Sequence, residues 1–292
     1  MLSCVTLISN IKKGIPDTAL IDVVQTLARF NCAVKVCEDY SSEAIFGMDN
    51  VNVCGKDTLF DSSELVIVMG GDGSIIEAAR MSHGYDVPIV GINFGRLGYL
   101  AELETGDVAL LENIVRGDFR IEERMMLDVS VTREGETIDL KYPCLNETVL
   151  SNGPISRLAE FDLYCDGEQA AHYDADGIII STPTGSSAYS LSAGGPLVYQ
   201  TMECIIATPI CPHSFTLRPV VFTGDSVLEI RNPVCRKNSM FITVDGRDNE
   251  KILTGDVIRI SKSKYKTRLV RIKDGGFINT LHRKLGKKEI EI

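Results

Sequence analysis

The chain of 292 residues has no tryptophan and only four histidines, His83, His172, His213 and His282. None of the four lies near a second histidine or a cysteine at metal-ligand spacing, which argues against a transition-metal centre. Cysteine occurs nine times but never as Cys-x-x-Cys. An odd, scattered set matches neither a zinc pattern nor a small-domain disulfide framework, so the thiols read as small buried hydrophobes in a reducing compartment. No apolar stretch approaches the roughly 18 residues of a membrane span, and the start, Met1 to Ile8, lacks the basic flank and apolar length of a signal peptide. A cytoplasmic, membrane-free protein is expected. An excess of positive charge is also missing. Lys and Arg number 30 against 40 Asp and Glu, a formal net charge of −10, which excludes a general nucleic-acid binder. There is no internal repeat.

Hydrophobic residues make up 44% and charged residues 24% of the chain, an ordinary globular balance with material for a large core. At this length single cores usually stop growing, so two domains are expected. The charge is unevenly spread: residues 251–292 hold 12 Lys/Arg and 4 Asp/Glu, a local +8 that leaves −18 on residues 1–250. Lys262, Lys264, Lys266 and Arg268 alternate with the period of a strand. They form either a solvated strand face or an electrostatic rim for phosphate-bearing ligands.

The first hundred residues alternate short apolar runs with amphipathic segments, the pattern of βαβ units around a parallel sheet. Strands are expected at Cys4 to Ile8, Cys32 to Cys37, Leu65 to Met69 and Pro88 to Ile92. Leu20, Val23, Val24 and Leu27 mark one buried face of a helix after Pro16 and Asp17. Ser74 with Glu77 has the spacing of a capping box. Leu110, Leu111, Ile114 and Val115 mark a further helix that Gly117 ends, and Phe277 to Lys288 a last short one. From about residue 121 the period changes to two, as in Leu127, Val129, Val131 and in Phe161, Leu163, Cys165. Turns at Glu134-Gly135, Asp166-Gly167, Asp245-Gly246 and Gly255-Asp256 suit hairpins. The fold class is thus a two-domain α+β chain, with a Rossmann-like α/β N-terminal domain and a β-rich C-terminal domain of layered antiparallel sheets.

Gly70-Gly71-Asp72-Gly73-Ser74 carries the strongest chemical signal, because it joins a buried strand to a helix. Glycines let a ligand approach the backbone, and first-turn N–H groups point into the same space, which makes a phosphate cradle. It is neither a Walker A loop nor a G-x-G-x-x-G fingerprint. A carboxylate at Asp72 would repel phosphate unless a cation neutralises it or it takes a proton from an attacking hydroxyl. The plain alternative is a tight turn with Asp72 as a surface cap. Asn146-Glu147, at a strand end, offers donors and acceptors suited to an adenine edge and ribose hydroxyls. Asp174-Ala175-Asp176-Gly177 leads into a strand and lacks the remaining ligands of a calcium loop. The Ser-, Thr- and Gly-rich run Ser181 to Pro196 follows directly. It reads as a binding loop that opens a helix, since Pro183, Tyr189 and Leu191 are out of place in a flexible linker. No G-x-S-x-G elbow or triad pattern supports a hydrolase.

Taken together, Gly70-Gly71-Asp72-Gly73, Gly95-Arg96-Leu97-Gly98-Tyr99-Leu100, Asn146-Glu147 and the run Asp176 to Pro196 resemble the NAD kinases in order and spacing over nearly the whole chain. The resemblance implies Mg²⁺- and ATP-dependent phosphorylation of the adenosine ribose 2′-hydroxyl of NAD, giving NADP, with ATP or polyphosphate as donor. It implies that Asp72 is the catalytic base and that Gly70, Gly71 and Gly73 supply backbone contacts. Asn146 would contact adenine, Glu147 a ribose, and Asp176 would lie towards the nicotinamide. Arg157, Asp174, Thr184, Ser187, Ala188, Tyr189, Ser190, Leu191, Ser192 and Arg247 complete the implied binding set. Arg247 stands where many bacterial relatives have Gln, and Arg157 and Asp174 occupy positions where relatives vary. The implied organisation is an ATP-binding domain at 1–122 with 275–292, an NAD-binding and oligomerisation domain at 123–274, and a homo-oligomer, dimer or tetramer. Similar Gly-Gly-Asp-Gly loops in lipid and sugar kinases, and a non-catalytic NAD(P) sensor, are the alternatives.

Overall fold

The protein is described by a computed structural model that covers residues 1–9, 14–95, 98–152, 159–214, 216–234, 240–273 and 276–285. It divides into two compact units, Met1–Glu123 with Thr267–Ile292, and Arg124–Lys266. Glu123 and residues 267–274, which the implied organisation assigns to the second domain, count with the first unit.

The first unit opens with β1 (Cys4–Ser9), α1 (Asp17–Ala28), β2 (Ala33–Val36), β3 (Val51–Val53), β4 (Leu65–Gly70), α2 (Asp72–Met81), β5 (Ile89–Asn93), β6 (Leu103–Glu104) and α3 (Leu111–Arg116). Its strands are parallel in the order β3-β2-β1-β4-β5, with β6 beside β5. All six residues of β4 are buried, as its continuous apolar run requires of a strand covered on both faces. Leu20, Val23, Val24 and Leu27 of α1 face the core as their spacing predicts. Gly117, at φ 89°, takes the left-handed position that stops α3. The strand order reverses between β1 and β4. In open α/β sheets, ligands bind outside the carboxyl ends of strands at such a switch point, and the Gly70-Gly71-Asp72-Gly73 loop sits at the carboxyl end of β4.

The second unit takes in most of β7 (Arg120–Arg133), then β8 (Glu136–Asp139), β9 (Glu147–Asn152), β10 (Ala159–Cys165), β11 (Glu168–Ala175), β12 (Gly177–Ser181), α4 (Tyr189–Ser192), β13 (Cys204–Ile210), β14 (Val220–Thr223), β15 (Leu228–Val234), β16 (Met240–Val244), β17 (Arg247–Ile252) and much of β18 (Val257–Arg271). One antiparallel sheet runs β14-β13-β12-β9-β16-β17. A second runs β11-β10-β15-β18. One core joins the two layers, with Phe161, Leu163 and Tyr173 on one side and Leu150, Ile178, Ile180 and Ile242 on the other. The hairpin turns use paired positive φ at Glu134-Gly135, Asp166-Gly167 and Asp245-Gly246.

The chain then returns to the first unit. Leu269 of β18 pairs in parallel with Ile89 of β5, and α5 (Phe277–Leu285) follows. The residues expected to continue that helix to Lys288 lie outside the described set. No described helix is long and apolar enough to cross a membrane.

Candidate active site

In the first unit, α2 starts at Asp72, with Gly71 as N-cap and no side chain capping it. The expected capping box does not form. Gly71 turns the chain early enough to place Ser74 inside the first turn, and Glu77 pairs with Arg80 at 3.1 Å instead. The first N–H groups therefore lack a side-chain cap at the positive end of the helix, where an anion is favoured.

Asp72 is held from across the loop. The Tyr99 N–H donates to its Oδ2 at 2.7 Å and the Leu100 N–H to its Oδ1 at 3.0 Å. The carboxylate lies so close to Gly98 that a Cβ there would fall 1.9 Å from Oδ1, so only glycine fits. Asn93, at the end of β5, bonds Gly95 through both ends of its amide and shapes the start of this loop. Arg271 at the end of β18 donates to the Leu100 carbonyl at 3.0 Å and pairs with Glu102 and Glu122. The phenol of Tyr99 is pushed up by burial and by the Asp72 charge.

In the second unit the Asp245 turn organises Asn146 and Glu147. The N–H groups of Leu145 and Asn146 each donate to the Asp245 carboxylate at 2.8 Å and that of Glu147 at 3.1 Å, while Asp245 N–H donates back to the Glu147 carbonyl. Glu147 is only 8% exposed, and its buried Oε2 has no hydrogen-bond partner. Burial, and then the Asp245 charge, push its carboxyl up to about 8. Its neutral form is thereby favoured, and one buried oxygen is left unused.

The Ser181 to Pro196 run is packed and bonded, not a linker. Thr182 Oγ1 donates to the Leu145 carbonyl and accepts the Gly185 N–H, and the Thr182 N–H donates to the Asn146 carbonyl. A Cβ on Gly185 would fall 2.1 Å from that same carbonyl oxygen. Buried Arg124 donates to Thr184 Oγ1 at 3.2 Å. Ser190 shares a hydrogen bond with Thr208 at 2.9 Å. Tyr189, Leu191 and Ser192 face solvent, and Ser187 and Ala188 are half-buried.

The structure thus groups Asn146, Glu147 and Thr184 at one end of the β9–β12 pair, with exposed Arg247 two residues past Asp245. Asp176 sits at the other end, where its carbonyl accepts the Asn152 N–H, and Asp174 is exposed on β11. Four residue steps of β12 separate the ends, about 13 Å at strand rise. Arg157 lies outside the described residues. Asn93, Gly98, Asp245 and Arg271 are supporting residues that the motif pattern does not single out. Gly98 and Asp245 stand within quoted motifs, but their roles depend on partners 26 and 98–100 residues away in sequence.

An uncapped helix N-terminus with a carboxylate fixed in its first turn has the parts that phosphoryl transfer requires. Residues 10–119 match the model of the ATP-NAD kinase N-terminal domain and residues 145–272 that of the ATP-NAD kinase C-terminal domain. An NAD kinase of Citrifermentans bemidjiense is 40% identical over 240 residues, 79% of this chain and 83% of the relative. One of Symbiobacterium thermophilum is 42% identical over 223 residues, 76% and 78% of the two chains. The fold is shared with yeast NADH kinase complexed with NADH (TM-score 0.87, 22% identity, 98% of this chain and 88% of that one). It is also shared with an NAD kinase from Archaeoglobus fulgidus in complex with ATP (TM-score 0.72, 23% identity, 98% and 99%). The chain belongs to the ATP-NAD kinase family and is an enzyme of the NAD kinase type, a phosphotransferase with an alcohol acceptor.

Proposed function

We propose that the chain transfers the γ-phosphoryl group of ATP to the 2′-hydroxyl of the adenosine ribose of NAD, giving NADP, with Asp72 as general base. The observation that carries this reading is the Asp72 carboxylate, held by two N–H groups at the uncapped start of α2. Phosphoryl transfer asks mainly for positioning and charge stabilisation, with one acceptor for the hydroxyl proton. The α2 N–H groups, with Gly70, Gly71 and Gly73, bind the phosphates, and Asp72 takes the proton.

In the second unit, Asn146 serves adenine and Glu147 a ribose, whose hydroxyl would donate to the unpartnered Oε2. Thr184, Ser187, Ala188, Tyr189, Ser190, Leu191, Ser192 and Arg247 line the dinucleotide, and Asp174 and Asp176 serve its nicotinamide end. No group of three or more His, Cys, Asp or Glu able to hold a metal occurs among the described residues. A divalent ion such as Mg²⁺ would ride on the nucleotide phosphates. The first unit, Met1–Glu123 with Thr267–Ile292, would then serve ATP, and the second, Arg124–Lys266, NAD and subunit association in a cytoplasmic homo-oligomer.

The test is NADP formation from NAD, ATP and Mg²⁺, with diacylglycerol as the rival acceptor. Asp72→Asn should leave NAD affinity within about twofold and lower kcat by about 10²–10⁴-fold, the usual worth of a positioned base. A variant that keeps most of its kcat removes Asp72 from that role. Binding of NAD without ATP-dependent product would make the chain a sensor.

A further inference from the structure

Helix α5 brings a cation back to the Asp72 loop from the far end of the sequence. Lys284 Nζ sits 3.7 Å from the centroid of the Tyr99 ring, on the residue whose N–H holds Asp72. Phe277, at the start of the same helix, packs on that ring at 5.9 Å between centroids. The position is enforced by several independent ties within the first unit. Arg283 pairs with Glu104, Lys273 with Asp107, and the N–H groups of Ile272 and Lys273 both donate to Glu102.

Lys284 is half-buried, and among the described residues no carboxylate lies within salt-bridge distance of it. Arg283 and Lys273, by contrast, are paired with carboxylates. A desolvated ammonium over an aromatic face recovers part of its lost hydration. A full recovery requires an anion, and the uncapped helix start beside Asp72 is a phosphate site by its own geometry.

We propose that Lys284 is the side-chain cation that receives the phosphate chain of a nucleoside triphosphate at the Asp72 loop. The assignment rests on the reading of this site as a phosphoryl-transfer centre. Lys284 offsets the Asp72 carboxylate, which would otherwise repel the donor, and it leaves Asp72 free because the ammonium rests on the Tyr99 ring instead of pairing with the acid. Burial lowers the Lys284 pKa while the Asp72 charge raises it.

Two measurements on the full chain test this. Calorimetric titration with ATP and with AMP should show Lys284→Met weakening ATP by about 10–100-fold, the loss of a charge-assisted bond, with AMP changed less than twofold. Lys284→Arg should recover most of the ATP affinity. Equal losses for ATP and AMP would reduce Lys284 to a support for Tyr99 and overturn the proposal, as would unchanged ATP affinity. In the unsubstituted chain, acetic anhydride labelling of Lys284, read by mass spectrometry, should slow at least tenfold with saturating ATP and not with AMP. Labelling indifferent to ATP overturns the proposal even if Lys284→Met fails to fold. NADP formation by the unsubstituted chain reports separately on the activity. ATP protection without NADP supports the phosphate site and removes the kinase reading alone.

Discussion

Two glycines at the Asp72 loop do opposite jobs. A Cβ on Gly73 would meet no atom within 4 Å, whereas one on Gly98 would drive into the Asp72 carboxylate. Gly73→Ala should therefore leave thermal stability unchanged or raise it, since alanine favours a helix by up to about 1 kcal/mol over glycine. It should still lower kcat/KM about tenfold or more, because the methyl group blocks close approach of phosphate to the backbone. Gly98→Ala should lower both. Thermal melts alongside steady-state rates separate the two outcomes. A Gly73→Ala enzyme with full activity would take the phosphates off that part of α2.

Glu147 gives the molecule a signature in pH. Its carboxyl titrates near 8 in the folded chain against an ordinary 4.5, so between those values the native state holds a proton that the unfolded chain has released. The associated stability is complete below about pH 4.5 and is lost as pH rises through about 8. Glu147→Gln keeps the neutral shape without the proton. Its melting temperature relative to the unsubstituted chain should climb between pH 6 and 9, by about 2–4 °C for each kcal/mol recovered. A difference flat across that range would mean the acid is already ionised at neutral pH.

At the scale of elements, the β16–β17 turn acts on a segment about a hundred positions earlier. Asp245→Ala strips three N–H groups of their shared acceptor and should cost about 1–3 kcal/mol. It should also weaken NAD more than ATP, by calorimetric titration, because the start of β9 loses its anchor. Periodicity made β4, the buried face of α1, the glycine stop of α3 and the hairpin turns legible in the sequence, because each depends on residues within one element. The Ser-Glu spacing puts the N-cap of α2 three residues late, because a glycine turn outweighs that local pattern. The supports of the site were hidden for a related reason. Asp245 reaches Asn146, and Arg271 reaches Leu100, across 99 and 171 positions, and no local pattern encodes such pairs.

Over the whole molecule, several cations of the basic segment 251–292 are paired with carboxylates outside it. Lys262 is tied to Glu203 and Asp225, Lys266 lies 3.9 Å from Glu203, and Arg268 reaches Asp86. These three cations balance three acidic neighbours, which returns part of the +8 to local surface balance. Lys262→Met should leave ATP and NAD dissociation constants within about twofold and stability within about 1 kcal/mol, as partly exposed pairs contribute little. A tenfold change in ATP affinity would restore the rim reading of the segment.

The first unit is assembled from both ends of the chain, Met1–Glu123 and Thr267–Ile292, which sets an order on biosynthesis. A ribosome delivers the Asp72 loop early, then the whole second unit, and only afterwards Arg271 to grip the Leu100 carbonyl. Domains fold as they emerge, N-terminal parts first. This one must wait with its carboxylate half-supported until translation has passed β18 and α5.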